Sequence, residues 1–220
     1  MNGRIKQVAD AATLLFLRQG YARTQISHIA KAAGVSVGSI YLDFAGKKEI
    51  LHFILKRTLD PAFAEREFER PMTDEVFAGL EGEIAAAFEC AAAELAGHLA
   101  DGAEGYPFAA LISDAFDLLA RYGVGCLFIE RNQADFQDLA GCYKAYRQRF
   151  FDTVVEYLWL YVARGELRPL ERVELSAMMI IEILTWWAMD MRYTSFEVQD
   201  VPLETAKQVC LEHILAAYRN

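Results

Sequence analysis

Proline and glycine are scarce in this 220-residue chain, 5 and 14 respectively, and they rarely interrupt its long apolar-periodic segments. Runs of alternating β-branched residues between turn signals are missing too, so the whole chain reads as helical. Cysteine is thin. Cys90, Cys126, Cys142 and Cys210 stand far apart without a C-x-x-C pair, which fits neither a zinc site nor a secreted disulfide framework and leaves reduced structural thiols. No stretch joins a positive start, an apolar run of roughly 7 to 15 residues and a small-residue cleavage site, so the expected location is cytoplasmic. The most apolar segment, Leu175 to Met191, contains Glu182 and Asp190 and falls short of the roughly 18 uncharged residues of a membrane span. It reads as a buried helix, and no membrane partner is expected. G-x-S-x-G, H-E-x-x-H and P-loop motifs are also missing, because Ala45-Gly46-Lys47-Lys48 lacks the upstream glycine spacing. One Glu-x-x-His occurs, Glu49 to His52, but a di-iron bundle centre needs a second copy. No catalytic residue, metal or cofactor is therefore expected, and the chain does not read as an enzyme.

What is present is hydrophobic residue in quantity, 54% of the chain, enough for a small domain and a larger one. The formal net charge of −9 argues at first against nucleic acid, since phosphate contacts need Lys and Arg. Its distribution reverses that inference. Residues 1 to 56 carry eight basic side chains against three acidic ones, a net +5, so the rest of the chain carries −14 to reach −9. A basic module on an acidic body docks one face on DNA while the body is repelled from it.

The expected fold is all-α with about 9 to 10 helices: a helix-turn-helix domain over 1–46, a connecting helix over 47–60 and a larger helical domain over 61–220. The first helix runs from Arg4 to Gln19, with Ile5, Val8, Ala12, Leu15 and Phe16 on one stripe and Gly20 as its left-handed cap. Thr24 is placed to cap a second helix from Gln25 to Ala33, Gly34 supplies a sharp turn, and Ser36 caps a third helix through Phe44. Two short helices joined by a glycine-containing turn are the helix-turn-helix signature. A fourth helix starts at Lys47 behind Gly46 and breaks at Pro61. Thr73 is expected to cap a long helix to Leu99, and Pro107 to open one ending near Tyr122 and Gly123, with a short extra helix at Val124 to Arg131. Helices over 135–164, 171–193 and 202–218 complete the reading.

The order and spacing of Gly20-Tyr21, Thr24-Gln25-Ile26-Ser27-His28-Ile29-Ala30-Lys31-Ala32-Ala33-Gly34, Val35-Ser36-Val37-Gly38-Ser39-Ile40-Tyr41-Leu42-Asp43-Phe44 and Gly46-Lys47 closely resemble the DNA-binding domain of the TetR family of bacterial repressors. In a helix-turn-helix, the first residues of the second motif helix meet base edges, here Val37, Gly38 and Ser39. Val37 offers an apolar surface to a thymine methyl, and Ser39 a hydroxyl to a base or phosphate. By resemblance, Tyr41, Thr24, Ser36 and Lys47 contact phosphates. Tyr41 has a core role as its alternative, while Lys48, Lys31 and Arg23 stand between phosphate contacts and solvated charges. Three positions depart from the family's pattern: Val37 replaces a common Lys or Arg, Leu42 an aromatic, and Asp43 a phosphate-contacting His or Tyr. Asp43 either accepts from a cytosine amino group or is neutralised by a nearby basic side chain.

The resemblance also implies a homodimer on double-stranded operator DNA, released as a repressor when a small-molecule effector binds the C-terminal helices and shifts the fourth helix. Two apolar stripes on the 135–164 helix need more cover than one core provides, so Phe151, Val155, Leu158 and Val162, with Met179 and Ile183 of the next helix, are expected at the dimer interface. Phe88, Phe108, Ile112, Phe116, Tyr143, Arg147, Phe150 and Trp186 are the candidates to line a pocket for a largely apolar effector. An adaptor that answers to a protein partner, with a filled core, is the alternative.

Overall fold

The computed structural model describes residues 2–196 and 201–220. Within them the chain forms helices α1 (Asn2–Gln19), α2 (Ile26–Ala33), α3 (Val37–Asp43), α4 (Lys47–Leu59), α5 (Leu80–Ala96), α6 (Phe108–Arg131), α7 (Gln137–Ala163), α8 (Val173–Thr185) and α9 (Leu203–Tyr218). No strand occurs among the described residues. Extended backbone meets in two isolated bridges, Phe44 with Met72 and Leu167 with Arg219. None of the described helices is long and apolar enough to cross a membrane.

The chain divides into two compact units, one of residues up to Ala85 with Val124–Ala140, the other of Ala86–Gly123 with Gly141–Asn220. The division differs from one drawn at residues 46 and 60, because α4 packs on α1 as part of the first unit.

In the first unit, Ile5, Val8, Ala12 and Phe16 of α1, Ile29 and Ala30 of α2, Ile40 of α3, and Ile50 and Phe53 of α4 are buried, with α1 packed on α2 and α4 and α2 on α3. Each buried Val, Ile or Phe among them contributes about 1.5–3 kcal/mol by leaving water. Local chemistry sets the helix ends. Gly34 closes α2 in the left-handed conformation, φ 65°, and Ser36 caps α3 by accepting the Ser39 N–H at 3.0 Å. Thr24 does not cap α2, whose N-cap is Gln25, with His28 Nδ1 accepting the Gln25 N–H at 3.4 Å. The expected helix behind Thr73 is split into a 3-10 turn, Asp74–Phe77, and α5. Gly79, at φ 82°, makes the break.

In the second unit, Phe108, Leu111, Ile112 and Phe116 of α6, Phe150, Tyr157 and Tyr161 of α7, and Ala177, Ile180 and Leu184 of α8 are buried. The helix expected to stop at Gly123 continues to Arg131. The reason is a close approach: a Cβ at Gly123 would come within 3.1 Å of Met189, so the glycine gives room and does not end the helix. Met189 lies in a π-helical turn, Trp186–Asp190, that extends α8 into a last turn at Met191–Tyr193.

Candidate nucleic-acid interface

With Ile40 and Phe44 fully buried, the opposite face of α3 is left in solvent. Val37, Gly38, Tyr41 and Leu42 are exposed there, Tyr41 by 50% and Leu42 by 64%. Ser36 and Ser39 share a hydrogen bond between hydroxyls at 2.8 Å at the head of the helix. This face carries no formal charge. It offers methyl groups, one phenol and two hydroxyls, a set suited to thymine methyls and phosphate oxygens.

The structure decides between the two readings of Asp43. Its carboxylate is fully buried, and Arg4 grips it with two hydrogen bonds, Nε to Oδ2 at 2.7 Å and Nη2 to Oδ1 at 2.8 Å. Arg70 adds a third at 3.1 Å. Asp43 thus faces inward and is neutralised by arginines. The same segment holds the chain after α3 by backbone: Met72 N–H donates to Asp43 O and Ala45 N–H to Met72 O, both at 2.9 Å. Residues 70–72 form a strap across the end of the exposed helix.

Two expected phosphate contacts are corrected. The Thr24 hydroxyl is buried, donating to Gly20 O at 2.8 Å and accepting from Gln19 Nε2 at 3.1 Å. Lys47 Nζ donates to Tyr21 O and Thr24 O, each at 2.9 Å, and lies 4.2 Å over the Tyr21 ring. The turn between α1 and α2 has carbonyls that need donors, and these two residues hold it. Asn132 completes that hold by accepting the Tyr21 N–H at 3.0 Å, a role no local sequence signal marks. Lys48 pairs with Asp74 at 2.6 Å, while Arg23 and Lys31 are exposed.

In the second unit the expected ligand residues part company. Phe88 stacks on Tyr146 at 5.0 Å and lies 5.6 Å from Tyr143, while Tyr146 meets Phe150 at 6.0 Å. Phe108, Ile112 and Phe116 are buried, Arg147 donates to Thr185 Oγ1 at 3.3 Å, and Trp186 is exposed by 43%. Burial raises the Tyr157 and Tyr161 hydroxyls above the usual phenol range, and both donate to backbone carbonyls. A hollow of about 470 Å³ opens in the first unit, and none of the eight expected ligand residues lines it. Of the expected interface set, Met179 is exposed and Phe151, Val155, Val162 and Ile183 are half-buried. Leu158 is fully buried in its own chain, a correction. Its neighbour Trp159 is the exposed one, one residue being a 100° step around the helix.

A short three-helix module presenting one solvent-facing helix at its second motif position defines the class by its geometry, a helix-turn-helix protein. Residues 8–54 match the model for bacterial regulatory proteins, tetR family. The chain is 49% identical over 57 residues to the HTH-type transcriptional regulator HbdR of Aromatoleum sp. (strain CIB), covering 26% of this chain and 25% of the relative. It is 43% identical over 60 residues to the fatty acid metabolism regulator protein of Bacillus subtilis (strain 168), covering 27% and 30%. The matched stretch spans less than a third of either relative's length. In fold, the chain is similar to the ketosteroid transcriptional regulator KstR2 of Mycobacterium tuberculosis, with TM-score 0.56 and 19% identity over 100% of this chain and 97% of that one. Over residues 8–54, then, the chain is similar to the tetR family of bacterial regulatory proteins.

Proposed function

We propose that the protein is a DNA-binding transcriptional regulator of the repressor type, a homodimer on a palindromic operator, released when a largely apolar small molecule binds its second unit. The observation that carries this reading is the exposed face of α3, Val37, Gly38, Tyr41 and Leu42, backed by buried Ile40, Phe44 and Asp43. Val37, Gly38 and Ser39 meet base edges, and Ser36 and Tyr41 meet phosphates. Lys47 and Thr24 act indirectly, by fixing the turn that leads into α2.

Dimerisation is supported by apolar side chains left in solvent in the second unit: Trp159 on α7, with Leu175, Met178 and Met179 on α8 and Trp186 just beyond it. Leu175, Met178 and Met179 stand at i, i+3 and i+4 on one face of α8, the arrangement of an interface stripe rather than of scattered surface residues. The apolar character proposed for the effector rests on the aromatic content of the second unit, and the Bacillus relative regulates fatty acid metabolism. Selection from a random duplex library is the test. It should return a palindrome with half-sites about one helical turn, 10–10.5 base pairs, or a multiple of it apart, bound by a dimer in sedimentation. A library that yields no enriched sequence would overturn the reading.

A further inference from the structure

The 470 Å³ hollow lies wholly within the first unit, between α4, the Asp74–Ile84 stretch, Phe136 and Leu139. Leu51, Leu55, Leu80 and Ile84 give it apolar walls, and Lys48, His52, Asp74 and Glu81 a polar rim. The Lys48 ammonium is already matched by Asp74. His52 packs edge-on against Phe77 with ring centroids 5.6 Å apart. Its buried Nδ1 makes no hydrogen bond, with Asp74 Oδ1 3.4 Å away. Burial holds this imidazole below its ordinary range, so it adds no positive charge at neutral pH. A second hollow of about 400 Å³ shares Glu81, Phe136 and Leu139 with the first and adds Asp135 and Asp138. Around the two, four carboxylates face one ammonium group.

We propose that this hollow binds a small lipophilic cation, with its charge at the Asp74 and Glu81 rim and its apolar body over Leu51, Leu55 and Ile84. The volume is that of a small-molecule site, which runs from about 300 to 1,000 Å³. The sign of the rim disfavours carboxylates and phosphates, and Phe77 and Phe136 add aromatic rings that attract cations. The site is distinct from the effector site proposed for the second unit, and its occupancy is measured without DNA, so it stands or falls independently of the regulator reading. Asp74 lies two residues beyond Met72 of the strap. A cation drawing on Asp74 therefore acts on the segment that holds the end of α3.

Equilibrium dialysis of the full chain against tetraphenylphosphonium and against tetraphenylborate, ions of similar shape and opposite charge, tests the proposal. One cation should bind per chain, and the borate at least tenfold more weakly. A Cβ at Gly82 meets open space, so Gly82→Phe keeps the helix while filling the hollow, and should weaken the cation at least tenfold. Glu81→Gln, at an exposed position, should weaken it severalfold, with melting curves confirming that both variants fold. No saturable binding, equal binding of the borate, or unchanged affinity in Gly82→Phe would each overturn the proposal.

Discussion

The two units are held in different ways. In the first, helices α2 and α3 have 8 and 7 residues, below the roughly 12 to 15 at which a helix is even marginal alone. Polar ties supplement their small apolar faces: Asp43 to Arg4 and Arg70, Lys47 to two turn carbonyls, Asn132 to the Tyr21 N–H. The second unit holds the larger parts of α6 and α7, helices of 24 and 27 residues. Packed aromatics hold them, with tyrosine hydroxyls satisfying stray carbonyls. The difference teaches where information about DNA resides. A few directed bonds in the first unit aim α3, whereas filled volume sustains the second.

Truncating volume should therefore have the largest effect on stability. Phe116 is fully buried, and Phe116→Ala is expected to destabilise the second unit by about 3–5 kcal/mol in chemical denaturation. A loss below about 1 kcal/mol would break the contrast, because it would mean that Phe116 borders empty space.

Cutting a directed tie comes next. Asp43→Ala leaves two arginines facing each other and should cost about 2–4 kcal/mol, below the range for a fully buried pair because Arg4 is partly exposed. DNA affinity should fall further than stability does, since the end of α3 is released. An affinity that merely tracks the folded fraction would show that the ion pairs hold the fold without aiming the helix. Lys47→Met should cost less, about 1–2 kcal/mol, as two carbonyls lose a donor. Its expected mark is faster amide exchange between Tyr21 and Thr24, with the second unit unchanged.

These ties also show what the sequence made legible. The ends of α1 to α4 were readable because Gly20, Gly34, Ser36, Gly46 and Pro61 act on their own neighbours. The exposure of Val37 was readable too, from its place at the head of the second motif helix. The partners of Asp43 were not readable, since Arg4 and Arg70 lie 39 and 27 residues away. Lys47 and Thr24 were misplaced for a related reason: sequence marks a donor's type without telling whether a phosphate or a buried carbonyl will receive it. Gly123 reads as a helix end because its close neighbour, Met189, is distant in sequence. Leu158 and Trp159 are adjacent, and periodicity alone did not separate the inward residue from the outward one.

The smallest stability effect belongs to the exposed face of α3, where the contrast between directed ties and free surface is sharpest. Leu42→Lys alters a side chain that is 64% exposed, so stability should stay within about 0.5 kcal/mol of the parent. DNA binding should change in a specific way. The exposed face of the parent helix carries no formal charge, so on the proposed reading the slope of log K against log salt should be shallower than about −10. One added lysine that reaches a phosphate should steepen it by about 0.9. An unchanged slope would place Leu42 away from the phosphates and leave base edges as its partner.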